Sequence, residues 1–275
     1  MLTDLHVHLR PDDLDATAER HFTTENVERY LAVAEERGIG YLGVSEHVHR
    51  FRQALDVWTH PFWRANAVDD LDEYCAFVRD KTPLKLGLEA DYLFGREDRI
   101  ANLIEERDWD YVLGSIHFLG DEAVDMEGDW DVWRSPDPEK VWRRYFETLG
   151  EAARCGLFDV LSHPDLVKVW GSDRPTPEGD LRRFYDLAMD GIAGSDVAIE
   201  VSTAGLRKPV REIYPARPFL EMCLEAGRPV TLSSDAHVPD QLGYRYEEAV
   251  ELLEAVGVTE VAAFEGRVRR LEQLG

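Results

Sequence analysis

Six short segments of this 275-residue chain end in histidine or acidic residues. They read Asp4-Leu5-His6-Val7-His8, Ser45-Glu46-His47, Glu89-Ala90-Asp91, Ser115-Ile116-His117, Ser162-His163-Pro164 and Ser234-Asp235-Ala236-His237. Imidazole nitrogens and carboxylate oxygens together are the donor set of divalent zinc, iron or manganese. Of the 9 histidines, His6, His8, His47, His117, His163, His237 and the neighbouring His49 fall in or beside these segments. A lone histidine in such a place is ordinarily a satisfied polar residue, but six segments ending alike are not explained by packing. The ligands also outnumber what one ion takes at about four apiece, and carboxylates can bridge, so two or three ions are expected. His21 and His60 have no such context and read as surface or loop residues. Asp4 lies on the other phase of its strand and reads as structural, and Glu46 reads as a partner that orients an imidazole.

The elements that would position these residues are short apolar strands. They are predicted over 2–7, 39–45, 84–91, 111–117, 160–163, 197–202 and 229–234. In the first of them His6 and His8 share a face, because strand residues two apart do. Amphipathic helices are predicted between the strands, over 26–37, 71–79, 96–107, 138–154, 177–189, 216–226 and 246–255. Alternating strands and helices point to a parallel sheet with right-handed crossovers, and this many units point to a barrel. In such barrels the active site lies at the C-terminal ends of the strands, where the histidines and acids fall. Residues 50–67 and 120–137 form long aromatic-rich segments without clear periodicity, which are expected to line or cover a site.

Composition sets the outer bounds. The chain carries 31 Lys+Arg against 55 Asp+Glu, a formal net charge of −24, which disfavours nucleic acid and anionic membranes as partners. Cys75, Cys155 and Cys223 are widely spaced and form no C-x-x-C pair, so reduced core thiols are expected rather than disulfides or a thiolate zinc site. No apolar run of about 20 residues is present, and Asp4, His6, His8 and Arg10 interrupt the start of the chain. One cytoplasmic domain spanning 1–275 is expected.

The succession of H-x-H, S-E-H, E-x-D, S-I-H-F, S-H-P and S-D-A-H, from Leu2 to about Gly243, resembles the PHP (polymerase and histidinol phosphatase) superfamily. Gly87-Leu88-Glu89-Ala90-Asp91-Tyr92, Ser115-Ile116-His117-Phe118-Leu119 and Ala204-Gly205-Leu206-Arg207-Lys208-Pro209 are most similar to its histidinol-phosphate phosphatases. The resemblance implies an α/β fold, a distorted (β/α)7 TIM-like barrel. It also implies three metal positions: His6, His8, Glu89 and Asp235 hold the first ion, and Glu89 bridges to a second with His117 and His163. His47 and His237 hold the third, where Asp13 best matches an acidic residue of other members. Glu89, His117 and Asp235 are the residues expected at the catalytic centre.

The chemistry implied is hydrolysis of a phosphomonoester, L-histidinol phosphate first, by a metal-bridging hydroxide. Arg207 and Lys208 are the candidates for gripping phosphate, Arg211 standing less clearly beside them, and the acidic stretch Asp121–Asp131 could meet a cationic amine. Two other readings share these residues. One is a PHP phosphoesterase for another phosphomonoester or nucleotide, and the other is a non-catalytic PHP module.

Overall fold

The computed structural model describes residues 1–13, 15–134 and 137–275, so Leu14 and the Ser135–Pro136 part of the expected 120–137 segment lie outside the described residues. In chain order the strands are β1 (Leu2–Asp4), β2 (Ile39–His47), β3 (Lys85–Asp91), β4 (Tyr111–Ser115), β5 (Phe118–Leu119) and β6 (Glu122–Ala123). They continue as β7 (Val160–Leu161), β8 (Ala198–Ser202), β9 (Val230–Ser233), β10 (Glu260–Glu265) and β11 (Val268–Gln273). A 7-stranded parallel sheet runs in the order β1-β2-β3-β4-β7-β8-β9. Its two ends meet through a parallel bridge between Val7 and Ala236, and the Thr3 hydroxyl donates to the Leu232 carbonyl at 3.0 Å. The sheet is thus a nearly closed barrel, and its seven strands are the seven expected.

Apolar periodicity and capping account for the outer layer. In the helix Pro138–Arg154, Asp137 caps the first turn by accepting from the Lys140 amide, and Pro138 occupies a position where no amide donor is needed. Val141, Trp142, Tyr145, Phe146, Leu149, Ala152 and Ala153 fall on one face and are buried. Each of the larger ones contributes roughly 1.5–3 kcal/mol by leaving water. The chain turns away at Gly156, whose φ of 74° is left-handed. The helix expected over 177–189 instead runs Arg182–Ala193. The residues before it, Pro177 to Asp180, include a left-handed Gly179 (φ 81°) that interrupts the regular helix.

The N-terminal end of the barrel is closed by a feature not expected from the sequence, the antiparallel hairpin β10–β11. Ala262, Ala263 and Phe264 pack with Leu5, Tyr41, Tyr111, Leu113, Val160 and Ala198 in a cluster separate from the outer core. Tyr111 fills the space beside Gly43 and Gly87: a Cβ there would lie 2.3 Å from the Tyr111 hydroxyl and 2.3 Å from its ring, respectively. With the lower end plugged, the barrel is open to chemistry only at the C-terminal ends of its strands. The two expected loop segments meet beside that face. Residues Arg52–Asp56 form a 3₁₀ turn and Pro61–Asn66 a short helix, while β5 and β6 pair as a hairpin.

Candidate metal centre

Glu89, near the end of β3, occupies the middle of the C-terminal face. Its Oε1 lies 3.3 Å from His6 Nε2, 3.4 Å from His117 Nε2 and 3.1 Å from His163 Nε2. Its Oε2 lies 3.6 Å from His8 Nε2 and in contact with His47 Nδ1. Asp235 faces the same pair from β9's side: its Oδ1 is 3.6 Å from His6 Nε2 and 3.4 Å from His8 Nε2. The His8 ring packs against those of both His47 and His237, with centroids 4.1 and 4.3 Å away, and those two rings also meet, 5.5 Å apart. Nine-tenths or more of Glu89, His6, His8, His117 and His163 is out of solvent.

Two tests ask whether this set fits divalent ions. Two ligands each about 2.1 Å from a tetrahedral ion stand about 3.4 Å apart, and the imidazole–carboxylate separations above cluster near that value. Second, His6 Nε2, His8 Nε2, Glu89 Oε2 and Asp235 Oδ1 are buried with no hydrogen-bond partner. Buried polar atoms are normally satisfied, so four converging orphans mark a missing partner. Three overlapping triplets bring ligand atoms within 4.8 Å of one another: His8, His47 and His237; His6, His8 and Asp235; His6, Glu89 and His163. The residues fit.

Around these groups a ring of carboxylates fixes ring orientation. Glu200 accepts from His6 Nδ1 at 2.9 Å, and its other oxygen accepts the His163 amide at 2.6 Å. Asp91 accepts from His117 Nδ1 at 2.6 Å, leaving Nε2 turned toward Glu89. Glu46 accepts the Leu9 and Arg10 amides at 2.7 and 3.2 Å and is paired with Arg50, which shapes the chain beyond H-x-H. Asp4 accepts the Ser234 amide and hydroxyl and the Gly243 amide, and its burial lifts its pKa to about 6. It ties the first strand to the last.

Charge couples the cluster. Burial opposes protonation of His6, but Glu200, Glu89 and Asp235 outweigh it and hold its pKa well above the ordinary imidazole value. Burial likewise opposes a charged His117, and Asp91 with Glu89 still raises it to about 10. His237 is raised against burial by Asp12 and Asp235. His8 goes the other way, because burial and the neighbouring His47 and His237 all disfavour its cation. Burial works against ionised Glu89 and Asp235, yet the surrounding imidazoles depress both well below the ordinary carboxylate range.

The structure brings together His6, His8, His47, Glu89, His117, His163, Asp235 and His237. Asp13 is not among them; like its neighbour Asp12 it is exposed. The carboxylate beside the third group is Asp12, 3.1 Å from His237 Nε2 and 3.7 Å from His47 Nε2. Arg50 grips Asp12 and so selects it over its neighbour. Arg207 donates from Nη2 to the carbonyls of Ser234 and Asp235, both at 2.8 Å, and its Nη1 is buried without a partner. Lys208 and Arg211 are exposed. His60, expected at the surface or in a loop, is buried: it accepts the Phe62 amide and lies between Trp58 and Trp130 at 4.4 and 4.2 Å. It joins the two loop segments.

Glu200 and Asp91 are positioning residues to which the sequence reading assigned no role. Asp91 was visible as the end of E-x-D; Glu200 was a lone acid inside the apolar run Val197-Ala198-Ile199-Glu200-Val201. That placement, a charge on a strand buried on both faces, is the signal that could have found it.

A family model described as the PHP domain matches residues 4–204 of this chain. A protein of Deinococcus radiodurans named as a probable histidinol-phosphatase is 35% identical over 236 residues, 83% of this chain and 86% of that protein. Another of that name from Clostridium acetobutylicum is 25% identical over 264 residues, 92% of this chain and 93% of its relative. Among solved structures, the histidinol phosphate phosphatase of Lactococcus lactis, complexed with zinc, L-histidinol and phosphate, has the same fold. The TM-score is 0.71 at 19% identity, covering 99% of this chain and 98% of that one.

Proposed function

The chain belongs to the PHP domain family, and from that premise we propose that it hydrolyses L-histidinol phosphate to L-histidinol and inorganic phosphate. Its activity class is that of a metal-dependent phosphoric monoester hydrolase. The observation that carries this reading is Glu89, a buried carboxylate on which five imidazoles converge.

The proposed assignment has three positions. His6, His8, Glu89 and Asp235 make the first, Glu89, His117 and His163 the second, and His47, His237 and Asp12 the third. Zinc, manganese or iron there supplies an acidified water and neutralises the phosphate oxygens. The chain's own residues do the rest. Glu200 and Asp91 hold the His6 and His117 rings with Nε2 facing Glu89. Arg207 braces the Ser234–Asp235 backbone and keeps its Nη1 unpaired in reserve for phosphate, and the next residue, Lys208, adds an exposed positive charge. Together they counter a molecule whose overall charge repels anions. The aromatic contacts of Trp58, His60 and Trp130 hold the two loop segments together beside His117, where they limit access of bulk water.

The test is phosphate release from L-histidinol phosphate by purified protein, before and after chelation and after each metal is restored. The reading requires activity that chelation removes and a divalent ion returns. Turnover indifferent to chelation would overturn it.

A further inference from the structure

Beyond His117 the chain folds back through the β5–β6 hairpin, and the Val124 amide donates to the His117 carbonyl at 2.9 Å. The next residue, Asp125, therefore stands beside a proposed ligand. Its placement is rigid, because the Val124 carbonyl accepts two indole N–H groups, from Trp133 at 3.1 Å and from Trp170 at 2.8 Å. Those indoles come from different segments, so the peptide that carries Asp125 is clamped from two sides. Yet one oxygen of this half-buried carboxylate has no partner: Oδ1 is sealed from solvent and accepts no hydrogen bond. The charge of Asp125 is felt by His117, Tyr145 and Tyr214. Tyr214, whose ring faces His163 at 6.3 Å, also buries a hydroxyl without a partner.

A buried acceptor left unpaired costs roughly 1–3 kcal/mol, more when charged, so the fold keeps one only where something else supplies the donor. Arginines of the surrounding segments are paired with other acids. Arg174 pairs with Glu127 and Asp131, Arg144 with Glu122, and Arg134 with Asp129. Nor, among the described residues, does Asp125 belong to any of the three groups able to hold a metal. What remains is a donor that arrives with the substrate.

We infer that Asp125 receives the ammonium group of the alcohol being released, so that it selects amino-alcohol phosphomonoesters over neutral ones. This rests on the proposed reading that phosphate sits at the Glu89 cluster. The ester oxygen then lies at the His117–His163 edge, and an ammonium on the adjacent carbons falls within reach of Asp125. A hydrogen bond between two charged partners is stronger than a neutral one, which makes the group a selector and not merely a contact.

The test compares wild type with Asp125→Asn, a substitution of the same shape, on L-histidinol phosphate and on glycerol 3-phosphate, which has an alkoxide leaving group but no amine. Binding of L-histidinol itself is measured in parallel by calorimetry. The ratio of kcat/KM for the two substrates should fall by about 10–100-fold, chiefly through KM for histidinol phosphate, with a similar loss of L-histidinol affinity. Equal losses on both substrates would overturn the inference and place Asp125 in service of the metal centre. An unchanged ratio and unchanged L-histidinol binding would overturn it as well. Failure of the parent reading shows separately, in wild type alone, as no preference for histidinol phosphate over glycerol 3-phosphate.

Discussion

His117 is a residue on which the second proposed metal position depends, since Asp91 aims its Nε2 at Glu89, beside that of His163. Replacing it with alanine should cut kcat/KM by about 100-fold or more, with circular dichroism and thermal midpoint near wild type. Near-normal turnover would remove that position from the account. Glu200 makes the subtler case. In Glu200→Gln one of two donors, His6 Nδ1 or the His163 amide, must face an amide N–H instead of an oxygen. Metal affinity should drop by about 10–100-fold, read by competition with a coloured chelator. The pH dependence has a definite sign. Without metal, the carboxylates raise His6, His117 and His237, the second to about 10, so at neutral pH an incoming cation displaces protons from them. Affinity should therefore rise with pH through the neutral range, and calorimetry in buffers of different ionisation enthalpy should count more than one proton released at about pH 7.5. Binding without proton release would contradict this. At this scale, the histidines at strand ends were legible because their type and spacing are themselves the signal. Asp12 and Asp13 were not separable, because only the grip of Arg50 in space distinguishes two adjacent acids in a turn.

At the scale of elements, strand–helix alternation was enough to find all seven barrel strands. Some ended short of the expected runs: β4 stops at Ser115 and β7 at Leu161, because His117 and His163 bend out of the ladder to reach Glu89, whereas β2 runs on to His47. His163 and Asp235 even adopt positive φ, 25° and 51°, where non-glycine residues are uncommon. Local strain at ligands is invisible to periodicity. The β10–β11 hairpin was missed for another reason. Its second strand is mostly exposed and half charged, so it lacks the apolar pattern by which strands are recognised, and in the first strand only Val261 to Phe264 are buried. The barrel floor yields a test of its own. Gly87→Ala puts a methyl group into the Tyr111 ring, and overpacking of this kind should lower stability by about 1–3 kcal/mol, seen in denaturant or thermal unfolding. A neutral effect would show that Tyr111 does not fill the barrel as described.

For the molecule as a whole, the excess of acids is a general property and the cluster at the strand ends a local one. A net charge of −24 repels anions at long range, and metal ions reverse the field where the chemistry occurs. Among the described residues no helix is long and apolar enough to cross a membrane. Family membership and fold agree with the reading made from residues, while the choice of substrate turns on the loops beside the centre. Those loops were legible as long and aromatic, with one acidic stretch at Asp121–Asp131. What they do depends on contacts among distant residues, such as the two tryptophans that clamp Val124. The most direct measurement of the central claim is kcat/KM for phosphate release by metal-loaded protein across L-histidinol phosphate, other phosphomonoesters and nucleotides. The account predicts a preference of at least about 100-fold for L-histidinol phosphate, lost on chelation and recovered with zinc, manganese or iron. Metal-dependent turnover led by a different phosphomonoester would contradict it.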